Sequence, residues 1–129
     1  MGSFSESLAI SASGMRAHAS RLRLTSENLA NNDTPGYRRK MASFDQVFDG
    51  GISTGLIEKG RTRLDQSELP KFEPSHPMAD DDGYIQGSNV NLMIEIADAR
   101  EAQRSYDANL KMFEQTRKLS TSLLDLLRR

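Results

Sequence analysis

The chain has 129 residues, enough for one ordinary domain. Its 17 basic and 18 acidic side chains nearly cancel, so no basic excess points to nucleic acid. It has no cysteine, which excludes disulfides, thiolate metal sites and cysteine nucleophiles, and no apolar run approaches the ~18–20 residues needed to cross a bilayer.

Apolar content is modest at 36%. Leu, Ile, Val and Phe make up about a fifth of the chain, close to the level at which disorder sets in. A single copy is therefore a poor candidate for a self-sufficient core. The N-terminus lacks a basic n-region and an apolar h-region, so a cleaved secretory signal is not expected. Charge divides the chain into three blocks: net +3 over 1–43, −5 over 44–90 and +1 over 91–129. Pro35 closes the first block, and Pro70, Pro74 and Pro77 lie in the second. Both ends are free to form uninterrupted helix, and the middle is not.

The first block is periodic. Leu8, Met15, Leu22 and Leu29 recur every seven residues, with Ala12, Ala19 and Ser26 four residues behind the first three. Large side chains over small ones make a narrow helical stripe suited to a partner helix. Ser3 or Ser5 is the expected N-cap. Asn31, Asn32, Asp33, Thr34, Pro35 and Gly36 mark the end: Asn and Asp favour turns, Pro35 disfavours helix at Thr34, and Gly36 permits positive φ.

The middle block offers short strand-like pieces at Ser43–Phe48, Ser53–Ile57, Arg61–Asp65 and Tyr84–Gln86, separated by loops rich in Gly and Pro. With two valines in the whole chain, strand propensity is weak, and a small irregular β/loop module is expected. The basic run Arg38, Arg39 and Lys40 is expected to pair with this acidic block, in the same or a neighbouring chain. His76 with Asp80, Asp81 and Asp82 raises a metal site. Adjacent carboxylates diverge, however, and the run lacks the alternating spacing of a calcium loop, so a solvated acidic loop is the better reading.

The third block repeats the heptad for longer. Leu92, Ala99, Tyr106, Phe113, Ser120 and Leu127 recur every seven residues, and Ile96, Leu110 and Leu124 add a second row. Asn89 or Asn91 is the expected N-cap. Asp107–Lys111 and Glu114–Lys118 are spaced as i,i+4 pairs on the opposite face. A helix over 91–128 would run roughly 57 Å, far beyond the ~14 Å radius of gyration of a compact chain this long. Its stripe needs a partner: the first block, other chains, or both. Fold class is therefore mainly α, with two long terminal helices in a coiled-coil-like hairpin and a small β/loop module between them. The expected divisions are 1–36, the N-terminal helix and turn; 37–88, the middle module; and 89–129, the C-terminal helix. The expected assembly interface is Leu8, Met15, Leu22, Leu29, Ile96, Tyr106, Leu110, Phe113, Leu124 and Leu127. His18 has no recognisable orienting partner, and neither a nucleophile elbow nor a phosphate-binding glycine loop is present, so no enzyme and no cofactor is expected.

Three segments carry a resemblance. ISASGMRAHASRLRLTSENLANNDTPGYRRK (Ile10–Lys40) resembles the N-terminal signature of the bacterial flagellar axial proteins, and Asn89–Leu127 resembles their C-terminal signature. Ser26, Asn28, Leu29, Ala30, Asn31, Thr34, Pro35, Gly36 and Tyr37 form the specific core of the match. The stretch FEPSHPMADDDGYIQGSNVN (Phe72–Asn91) looks like the version found in proximal basal-body rod members of that family. Met78 departs from it, where a polar or acidic residue follows His-Pro in the pattern, and 43–71 carries no recognisable motif.

The resemblance implies a structural subunit of the flagellar proximal rod, polymerising helically through its terminal helices into a hollow drive shaft. It implies export by the flagellar type III apparatus without a cleaved signal, and a place in the basal body where the rod crosses the periplasmic space. Implied partners are further copies of itself, other rod proteins, the adaptor joining rod to membrane ring, and the export apparatus, with no cofactor. The alternatives are a free coiled-coil adaptor or export chaperone, which accounts for the heptads but not the turn signature, or another rod-family member. A wall hydrolase lacks any recognisable acid–base pair.

Overall fold

The structure is a computed structural model that describes residues 2–128. Two long helices flank three small sheets. Helix α1 spans Gly2–Ala30 and α2 spans Leu92–Leu127, and between them lie β1 (Lys40–Met41), β2 (Phe44–Asp49), β3 (Ile52–Lys59), β4 (Arg63–Leu64), β5 (Pro70–Phe72) and β6 (Tyr84–Gln86). Each sheet is an antiparallel pair: β1 with β4, β2 with β3, and β5 with β6. The mainly helical hairpin with an irregular β module is thus the fold this chain adopts.

Helix α1 begins at Gly2, so Ser3 and Ser5 lie inside it rather than at a cap. Its end follows from the turn residues. Asn31 N–H donates to the carbonyls of Glu27 and Asn28, Thr34 N–H to Asn31, and Gly36 takes φ +76°. A side chain at Gly36 would be strained there. Helix α2 starts at Asn91, whose side chain accepts from the amides of Met93 and Ile94 at 3.0 and 3.4 Å. That satisfies two of the four orphan donors of the first turn.

The helices run antiparallel. Gly14 lies against Asn109, Arg21 reaches Asp98 and Glu101, and Asn28 meets Glu95. A Cβ on Gly14 would sit 2.9 Å from the Asn109 side chain, so glycine permits this close approach. The inner arc of α1 is small and polar: Ser11, Ser13, Gly14, Ala17, Leu24, Thr25 and Asn28 are buried, whereas Leu8, Met15, Leu22 and Leu29 are half-buried. The reason is that α1 is covered from two directions, by α2 and by β3, and the arc between them falls on the small residues. Two buried hydroxyls are hydrogen-bonded. Ser13 Oγ donates to the Ile10 carbonyl and accepts from Ile57 N–H of β3, and Thr25 Oγ1 donates to the Leu22 carbonyl.

On α2 the row Ala99, Tyr106, Phe113 and Ser120 turns inward and is half-buried, with Ala102 fully buried beside it. The 36 residues of α2 run about 54 Å against about 44 Å for the 29 of α1. Opposite pairs such as 14 with 109 and 28 with 95 place Phe4 across from about Leu119. Beyond that the α2 stripe has no α1 residue facing it.

The β2–β3 hairpin is an arm laid along α1. Gly50 and Gly51 take φ +58° and +82° at its two-residue tip, the geometry of a turn whose twist matches the strands. Phe44 at its base meets His18 edge-to-face at 5.9 Å. The β5–β6 pair is held by Phe72 against Tyr84, with ring centres 5.2 Å apart. Strands β1 and β5 lie outside the pieces read from the sequence; each is three residues or fewer, too short to leave a periodic signal.

Candidate assembly interface

The side chains that hold the two helix ends together are polar. Asn28 and Glu95 are the largest fully buried side chains among the described residues. Asn28 Oδ1 accepts from the backbone N–H of Lys40 and from Tyr37 Oη, each at 2.9 Å. Its Nδ2 donates to the Lys40 carbonyl at 2.9 Å and to Glu95 Oε2 at 3.2 Å. One amide thus stitches the end of α1 to β1 as a strand-like partner would, and to α2 besides.

Glu95 is compensated by Arg39, whose Nε bonds Glu95 Oε1 while its other arm reaches Asp98 Oδ2 at 2.8 Å. Arg21 adds a second cation to Asp98 at 3.2 Å. A carboxylate removed from water is tolerable only with such partners. Asn89 completes the clasp. Its Oδ1 accepts from Arg39 N–H at 2.6 Å, and its Nδ2 donates to the carbonyls of Asp65 and Ser67. The turn is tied to the far strand by Gly36 N–H donating to the Gln86 carbonyl at 2.8 Å.

Within the chain, the ion pairs of the basic run go to helical carboxylates, and Arg38 meets the middle block only at a backbone carbonyl. Arg39 takes Glu95 and Asp98, Lys40 takes Glu27, and Arg38 donates to the Ser67 carbonyl. The chain turns back over the helix ends at Tyr37–Lys40, which brings helical carboxylates closer than loop ones. The Glu27 hydrogen bond raises the Lys40 ammonium above its usual range, and burial, then the Glu27 charge, raises Tyr37. The Ser67 N–H and hydroxyl hold Asp65 below the usual carboxylate range. His76 and Asp80 are turned to their own loop. His76 Nδ1 accepts from Met78 N–H, and Asp80 Oδ1 accepts from the amides of Asp82 and Tyr84. On α2, Asp107 accepts from Gln103 rather than pairing with Lys111.

The residues read as interface fall into two groups. Leu8, Met15, Leu22, Leu29, Tyr106, Leu110 and Phe113 are half-buried along the helix pair. Ile96, Leu124 and Leu127 are exposed at 43, 47 and 76%. Leu119, Leu123 and Leu126 are exposed beside the last two, so the end of α2 is an apolar surface. Of the turn motif, Asn28, Asn31 and Tyr37 make internal hydrogen bonds, while Ser26, Ala30 and Pro35 face outward. Leu29 is half-buried, and Thr34 donates to Asn31 Oδ1. The sequence reading passed over Glu95, Asn89 as a bridge, and Gly14. The available signal for Glu95 was an acid inside the apolar run Leu92–Ile96.

Two family models match. Residues 8–38 match the flagella basal body rod protein family, and 81–126 match the C-terminal region of the flagellar basal body rod FlgEFG proteins. The first match covers α1 from Leu8 onward and the turn after it, and the second covers β6 and α2 as far as Leu126. The flagellar basal-body rod protein FlgC of Agrobacterium fabrum is 41% identical over 127 residues, covering 92% of this chain and 91% of its own. That of Borreliella burgdorferi is 30% identical over 98% of this chain and 99% of its own, and that of Salmonella typhimurium 29% identical over 91 and 92%. At 41% identity to the Agrobacterium fabrum protein over 92% of its length, the chain belongs to the FlgC family of flagellar basal-body rod proteins, structural subunits of the flagellar rod.

Proposed function

We propose that copies of this chain polymerise helically through their terminal helices, in the proximal rod, to form a hollow drive shaft across the periplasmic space. The subunit is exported through the flagellar type III apparatus. It docks on further copies of itself, on other rod proteins and on the adaptor between rod and membrane ring, and it performs no catalysis. The units of this activity are 1–36, 37–88 and 89–129, the outer two assembling and the middle one facing outward. Among the described residues no helix is long and apolar enough to cross a membrane.

The observation that carries this reading is the uncovered apolar end of α2. Leu123, Leu124, Leu126 and Leu127 lie exposed beyond the reach of α1. Covering one such side chain is worth roughly 1.5–3 kcal/mol, a strong reason for it to meet another subunit. The internal clasp supports the same reading, because it fixes the relative position of the two helices before docking and so lowers the ordering cost of assembly.

Leu124→Glu tests it. No α1 residue faces Leu124, so the variant should fold and be secreted as the native chain is, yet leave cells without hook or filament. Lys111→Glu, an exposed charge on the polar face, is the control and should build hooks. Hooks formed equally well by both variants would overturn the reading. A stable, defined soluble dimer in place of a polymer would favour a free coiled-coil adaptor.

A further inference from the structure

The β2–β3 arm and the groove beside it are complementary surfaces that the chain cannot bring together by itself. One face of the arm's tip is apolar and acidic: Ile52 is 75% exposed, and exposed Asp49 sits directly across the ladder from it on the same face, whereas Phe48, opposite Ser53, points to the other face. Between α1 and β3 lies a groove of about 640 Å³ with Ala17 and Ile57 in its wall and Arg16, Arg23 and Lys59 around it. Those three cations make no ion pair among the described residues, and Glu58 is the single acid in the lining. Ser20 also lines the groove, and its Oγ is buried without a hydrogen-bond partner.

We propose that the arm tip of one copy seats in the α1–β3 groove of a second copy, Ile52 against Ile57, and Asp49, on the same face of the ladder as Ile52, among Arg16 and Arg23. This rests on the rod-building reading above. The occupant is a second copy because the charges match within one sequence: an acidic, apolar plug and a basic, apolar-walled socket. Ile52 and Lys59 are seven residues apart on one extended strand, about 23 Å. A tip therefore does not fill its own groove. Plug and socket are different surfaces, so the contact is heterologous, and such contacts propagate into rings or open helices rather than closing as a dimer. It links neighbours sideways through the arm, independently of the α2 end.

The chain's lack of cysteine makes the test direct. A chain carrying Asp49→Cys and Arg23→Cys, oxidised in isolated basal bodies, should give a band at twice the chain mass that neither single variant gives. In parallel, Asp49→Arg and Arg23→Asp should each lower the fraction of cells with hooks by about tenfold or more, since facing like charges across an interface cost several kcal/mol. The double swap should restore hooks to near the native level. Circular dichroism of each variant should match the native chain, as both positions are exposed.

Absence of the doubled band, or two defective single swaps that the double swap fails to rescue, overturns the pairing. Single swaps that assemble normally while Leu124→Glu fails overturn the pairing and leave the rod-building reading standing. Normal assembly by all of them, Leu124→Glu included, overturns both.

Discussion

Arg39→Met isolates the energetics of the clasp. The change keeps most of the side chain's apolar length and removes the cation. Glu95 is fully buried and would then keep only the Asn28 donor at 3.2 Å. Breaking a buried pair by deleting one partner costs about 3–5 kcal/mol, because the other charge stays out of water. Glu95→Gln is the opposite cut. The amide still accepts from Asn28, and Arg39 keeps Asp98 at 2.8 Å and remains partly solvated, so the expected cost is nearer 1–3 kcal/mol. The double variant Arg39→Met with Glu95→Gln leaves neither charge behind. Its cost should fall short of the summed single costs by about 1–3 kcal/mol of coupling. Urea unfolding of the full chain, followed by far-ultraviolet circular dichroism at one fixed concentration of a stabilising osmolyte, reads all four corners of the cycle. With slopes of about 1–3 kcal/mol per molar urea, the Arg39→Met shift is readily measured. If Glu95→Gln costs as much as Arg39→Met, or if the single costs simply add, the buried carboxylate is not the source of the loss and the reasoning fails.

Gly36→Val should disturb the turn at φ +76° and impair rod assembly, scored by motility and secretion of later flagellar proteins; normal assembly would mean the turn tolerates a side chain. Gly14→Ala should destabilise the native chain, because its Cβ meets Asn109 at 2.9 Å, yet stabilise the Asn109→Ala background by up to about 1 kcal/mol through helix propensity; melting curves of the four chains check it. Burial, and then Arg21, holds His18 below its usual 6.5, so the unfolded chain binds the proton more readily. Its contribution is complete above pH 6.5 and is lost as pH falls from there toward the folded value. His18→Gln should flatten that part of the stability profile, and an unchanged slope would exclude His18 as its source. Amide exchange on the free chain should be fastest along the last turns of α2, and protection there equal to that around Ala102 would contradict an uncovered end.

Residue periodicity by itself determined the two helices. A seven-residue repeat without proline admits few other local structures, and Asn31–Gly36 and Asn91 carry their stop and start signals in their own side chains. The short strands at Tyr84–Gln86 and along the Phe44–Lys59 arm were legible for the same reason, since turn glycines bound them. Which face of each helix turned inward was not legible in the same way. On α1 the heptad places Leu8, Met15, Leu22 and Leu29 at the seam, but two elements cover that helix from different sides, and the deepest positions fall on Ser11, Gly14 and Asn28. Periodicity reports one partner at a time and cannot weigh two. The clasp was equally a tertiary decision. Asn28 and Arg39 lie fifty or more residues from Asn89 and Glu95, and all four are ordinary surface residue types by composition. Only the hairpin, by setting the end of α1 against the start of α2, puts them within hydrogen-bond distance and makes a buried charge affordable because every partner arrives with it.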